Sequence, residues 1–160
     1  GEYFVFRKDF GDPDSSRIVG FYANIQWNNN KCVYEYHEKH NYKDGNRSIK
    51  YNIGGNIYIS SYLNALSILT IWKGGVRLIN VRETYRDRVC RMLHGIMATN
   101  VDLQPMGFLP GITPLCAIQA YGDYRNIIQD FPNGLYKNGS KYDFLKNKLL
   151  ESSKIIIHKI

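Results

Sequence analysis

Short apolar runs alternate with polar turns along most of the chain. Residues 3–7 read as a strand, and 10–16, with Gly11, Asp12, Pro13 and Asp14, as a turn. A second strand spans 17–27, rich in Ile18, Val19, Phe21, Tyr22, Ile25 and Trp27, and Asn28-Asn29-Asn30 turns it back. In 32–40, Cys32, Tyr34 and Tyr36 share one face and Val33, Glu35 and His37 the other. A turn around Asp44-Gly45 leads to a strand at 48–53 that Gly54-Gly55 interrupts. Residues 56–73 are apolar and β-branched, predicting one or two strands bent near Asn64. Lys73-Gly74-Gly75 turns into a strand at 76–81.

Beyond residue 83 the pattern changes. Thr84 caps a predicted helix with Asp87 as capping-box partner, Val89, Met92, Leu93 and Ile96 give it one apolar face, and Asn100 ends it. Residues 101–114 form a Pro- and Gly-rich loop that is unusually apolar. Strands are expected at 115–121 and 123–131, a turn at Pro132-Asn133-Gly134, and closing strands over 142–150 and 154–160. No repeat or linker divides the chain, so 1–160 is read as one domain. Many short strands with turn signals argue for a sandwich or a barrel. We expect an all-β, two-sheet antiparallel sandwich of immunoglobulin-like form with one short helix.

Tyrosine is abundant, 13 of 160 residues, which suits strands whose rings pack while their hydroxyls reach water. The net charge is +7, but the basic residues are scattered, the one denser group being Arg82, Arg86, Arg88 and Arg91 diluted by Glu83 and Asp87. That scatter argues against a charge-driven nucleic-acid role. The apolar run from 63 to 72 is half of what a spanning helix needs. A start at Gly1 reads as a processed chain, and the sequons at Asn46 and Asn138 fit a secreted glycoprotein. Cys32, Cys90 and Cys116 match no zinc spacing. They allow one disulfide with a third thiol left over, or three buried thiols. His37 and His40, three apart in a strand and turn, face different ways and read as surface histidines, not metal ligands. No phosphate loop, nucleophile elbow or Cys-His signature is present. No cofactor, metal or catalytic residue is predicted.

Three segments resemble the ML-domain family of lipid-recognition proteins, closest to its ganglioside-activator-like branch among arthropod secreted and chemosensory proteins. They are Arg88-Val89-Cys90-Arg91-Met92-Leu93; Leu115-Cys116-Ala117-Ile118 with Tyr121-Gly122-Asp123-Tyr124; and Asp130-Phe131-Pro132-Asn133-Gly134-Leu135-Tyr136. Ala117 stands where the family usually has Pro, and the family normally has more cysteines. The resemblance implies two antiparallel sheets around a lipid-sized cavity and a Cys90–Cys116 disulfide. It implies a secreted carrier of a lipid or other apolar small molecule, without catalysis. The basic surface would add an anionic membrane or a receptor protein as partner. Expected wall residues are Phe21, Trp27, Tyr58, Tyr62, Leu66, Ile68, Trp72, Met97, Leu103, Met106, Phe108, Leu109 and Phe131. The alternative is a β-rich protein-interaction module acting through a basic, Tyr-rich surface.

Overall fold

Eight strands follow one another as a meander and then close. The computed structural model describes residues 1–10, 17–60, 64–72, 75–100, 111–121 and 128–157. The strands are β1 (Glu2–Lys8), β2 (Ile18–Asn28), β3 (Val33–Asp44), β4 (Arg47–Ser60), β5 (Ala65–Trp72), β6 (Gly75–Arg86), β7 (Cys90–Thr99) and β8 (Gly111–Ala120). A short β9 (Gly134–Tyr136) and the helix α1 (Ser140–Ile157) follow. Each strand from β1 to β8 pairs antiparallel with the next, and β1 pairs with both β2 and β8. Phe4, for example, lies opposite Tyr22 on one side and Ile118 on the other. The sheet therefore has no free edge among these eight strands, and the architecture is a closed barrel, not the expected sandwich. Alternating strands suit either form. The decision rests on the β1–β8 pairing between opposite ends of the meander, which local pattern does not encode.

β1 shows why this closure is stable. Tyr3, Val5 and Arg7 face the lumen, while Phe4 and Phe6 face outward and are also buried. The cover over that outer face is α1, whose Tyr142, Leu145 and Leu149 pack with Phe4, Phe6, Ile18, Cys116 and Ile118. β9 extends this cover by pairing Gly134–Tyr136 with Ile18–Gly20 of β2. Asn133 Oδ1 accepts the Tyr22 backbone N–H at 3.0 Å, and the Tyr22 hydroxyl donates toward the Ile128 carbonyl at 2.8 Å.

Two helix–strand expectations are reversed. The predicted helix after Thr84 is the β6–β7 hairpin: β6 shifts register between Glu83 and Tyr85, and Asp87 Oδ1 accepts the N–H groups of Val89 and Cys90, both at 2.7 Å. The same short carboxylate that caps helices here caps a turn. The strands predicted over 142–150 and 154–157 are instead α1. Tyr142, Leu145, Leu149 and Ser152 are buried at helical spacing, Asp143 lies in the first turn and Lys154 in the last. Residues 158–160 lie outside the described residues. β4 runs through Gly54-Gly55 without a break. A Cβ on Gly55 would meet the Leu69 carbonyl oxygen at 2.4 Å, so glycine here permits close strand packing.

Candidate functional site

The inward residues of the strands build the lumen in layers. At one end Arg91 hydrogen-bonds Glu83 and reaches the Tyr3 hydroxyl at 3.2 Å. Above it lies a small apolar cavity of about 20 Å³, with Val5, Ile68, Ile79, Leu93, Leu115 and Ala117 among its walls. Tyr3 and Tyr36 also line it, their hydroxyls bonded to Arg91 and Glu38. A second recess of about 60 Å³ lies outside the wall, among Glu2, Tyr22, Gln119 and Tyr121. Its lining mixes polar and apolar groups, unlike that of the lumen cavity.

The next layer is ionic. Glu38, Arg7, Arg77 and His40 are buried, each less than a tenth exposed. They follow the same inner faces as the apolar residues: Val5 precedes Arg7, Tyr36 precedes Glu38 and His40, and Arg77 precedes Ile79 and Val81. Arg77 grips the Glu38 carboxylate with two bonds, 2.7 and 2.8 Å. Tyr36 donates to Glu38 at 2.7 Å, and His40 Nε2 lies 2.9 Å from its other oxygen. The ionised carboxylate only accepts, so His40 carries its proton on Nε2, leaving Nδ1 without a partner. Burial alone would raise the Glu38 carboxyl, but the Arg77 charge and the hydrogen bonds from His40 and Arg77 outweigh it and hold it well below the usual carboxylate range. Burial lowers His40 and keeps it neutral. Burial raises Tyr36 well above its ordinary value, so its hydroxyl stays protonated and is no nucleophile at neutral pH.

Aromatic rings surround this layer. His40 sits between Phe21 at 4.4 Å and Tyr51 at 4.3 Å, and Tyr51 continues the stack to Trp72 at 4.5 Å. Burial raises Tyr42 to about 12. Arg17 holds the Asp9 carboxylate at 2.6 Å.

Among the expected wall residues, Phe21, Leu66, Ile68, Trp72 and Met97 belong to the inward faces. Trp27 is 48% and Tyr58 60% exposed, so neither lines the lumen. Phe131 packs outside the barrel with Phe4, Tyr136 and Phe144. Tyr62, Leu103, Met106, Phe108 and Leu109 lie outside the described residues. Asn46 and Asn138 are both exposed in turns. The implied Cys90–Cys116 bridge is not formed, and all three thiols are free. Cys116 pairs with His94, four residues along β7 from Cys90, which separates the two by roughly 13 Å at about 3.3 Å per residue. A disulfide needs Cα atoms within about 7 Å. Cys116 is buried, and burial pushes its thiol up.

Arg7, Glu38, His40, Arg77, Tyr36 and Tyr51 were not expected at the site. His37 is exposed as expected, but His40 is not. The available signal was parity: Tyr36, Glu38, His40 and Tyr42 share one strand face.

Together these features define a closed antiparallel β-barrel with a layered, partly charged lumen. No protein-family model, curated protein or solved structure matches the chain. Among the described residues no group of three His, Cys, Asp or Glu side chains is placed to hold a metal.

Proposed function

We propose that the protein binds and carries a small, mainly apolar molecule in the barrel lumen, without catalysing a reaction. The observation that supports this most is the apolar cavity among the inward residues of the barrel strands, with a buried ionic layer further along the same faces. Eight strands give a barrel just wide enough to be filled by side chains or to hold one small ligand. As it stands, the cavity has room for little more than one water. The cargo is therefore a short apolar body, admitted as lumen side chains yield, and not a long acyl chain. Its affinity comes from burial, at about 0.8 kcal/mol per CH₂. The secreted setting, with glycans on Asn46 and Asn138, belongs to the same reading.

The test is native mass spectrometry of gently purified protein and of Ala117→Val, which narrows the cavity from one wall. Retention of a small apolar mass by the parent and its loss in the variant, with the fold intact, are the expected results. Equal retention by both would place the cargo elsewhere.

One observation favours the interaction-module reading. On the outer face of β5–β8, Leu69 lies opposite Leu78, Ile71 opposite Val76, and Ile112 opposite Ala98. Ile71 and Ile112 are 69% and 72% exposed. A contiguous exposed apolar patch marks a contact surface. On that reading, Ile71→Lys abolishes partner capture and leaves lumen uptake unchanged.

A further inference from the structure

Arg7 is 4% exposed, yet no carboxylate lies within ion-pair distance of it among the described residues. Its Nη1 donates to the Lys8 carbonyl at 2.7 Å, its guanidinium stacks 4.5 Å over Phe10, and Nε has no partner. The nearby acids are engaged: Asp9 by Arg17, and Glu38 by Arg77 and His40. Tyr51, Arg77, Asp9 and Tyr42 act on Arg7 most strongly, and it acts in turn on Tyr36 and His40. A buried charge without a counterion costs several kcal/mol. Nearby, Arg77 Nε and Thr70 Oγ1 are also buried without partners.

The layer adjoins the cavity along the strands. Val5, a cavity wall, lies two residues before Arg7 on the same face, and Leu115, another wall, is directly opposite Arg7 on β8. Arg7 is thus the next inward side chain on β1 beyond the cavity wall.

We infer that the lumen ligand is a small organic anion whose carboxylate pairs with Arg7 while its apolar part fills the cavity. This rests on the carrier reading above and narrows it to a chemical class. A guanidinium fork matches a carboxylate with two parallel bonds, and Thr70 offers a further donor nearby. The positive net charge of +7 would also speed arrival of an anion.

The test compares hexanoate with hexan-1-ol, equal in chain length and different in charge, by calorimetric and NMR titration at neutral pH. It uses the parent protein, Arg7→Met and Arg7→Lys. The parent should prefer hexanoate by roughly tenfold or more, the scale of a charge-assisted hydrogen bond. Arg7→Met should lose that preference. Arg7→Lys, which keeps the charge but not the fork and gives a folded comparison should Arg7→Met fail to fold, should retain part of it. Hexan-1-ol binding as well as hexanoate in the parent overturns the inference and leaves the carrier reading intact. An undiminished preference in both variants also overturns it, by placing the anion away from Arg7. Uptake of neither compound overturns the carrier reading and the inference with it.

Discussion

At Glu38 the carboxylate accepts from Tyr36, His40 and both outer nitrogens of Arg77, deep inside the barrel. Glu38→Gln leaves two buried guanidinium groups with one fewer counterion. It should cost about 3–5 kcal/mol in urea unfolding, the scale for breaking a buried pair. The double variant Glu38→Met/Arg77→Met should cost less than the sum of its single changes. The same residues set the acid response. Glu38 and His40 both have lowered values in the folded state, so the unfolded chain binds protons first as pH falls. Their stabilisation is complete above the ordinary histidine value near 6.5. It declines below that as His40 protonates in the unfolded chain, and more steeply below the ordinary carboxylate value near 4.5. Melting temperatures measured across that range should fall in two stages, and Glu38→Gln should shrink the lower one, to which Glu35 and Asp87 also contribute. Thiol chemistry separates the cysteines. Ellman's reagent should label exposed Cys32 in the folded protein and buried Cys116 only after unfolding, with an intact mass equal to that of three free thiols.

At the scale of elements, α1 clamps the outer faces of β1 and β8. Leu145 is fully buried under it, whereas Leu150 is 52% exposed. Leu145→Ala should cost about 2–5 kcal/mol and Leu150→Ala within about 0.5 kcal/mol in chemical denaturation. A strand over these residues would put Leu145 and Leu149 on one face and Leu150 on the other, and would not bury Tyr142 with them. The spacing of Tyr142, Leu145, Leu149 and Ser152 carried the helical signal, but their identities suit a strand as well. Near Asp87 the signals conflicted, because an Asp ahead of two free N–H groups serves a hairpin turn as readily as a helix start. β3 and the first half of β6 were legible because period two leaves an inner face that repeats without interruption.

For the whole molecule, strand content was legible and closure was not. Pairing of β1 with β8 joins residues more than a hundred positions apart, and nothing local to Phe4 or Ile118 names the partner. β1 did carry a hint: Tyr3-Phe4-Val5-Phe6 has no polar face, as expected of a strand buried on both sides. The apolar half of the site was partly legible, through Phe21, Leu66, Ile68, Trp72 and Met97. Its charged half was not, because Arg7, Glu38 and Arg77 read as surface residues until the barrel encloses them. The central claim is that this lumen is a binding site. The most direct test is a methyl NMR titration with hexan-1-ol that follows Val5, Ile68, Ile79, Leu93 and Leu115 inside the barrel against Ile71, Val76 and Ile112 outside it. Saturable shifts confined to the inner methyls are predicted. Shifts confined to the outer methyls, or none at all, would contradict the claim.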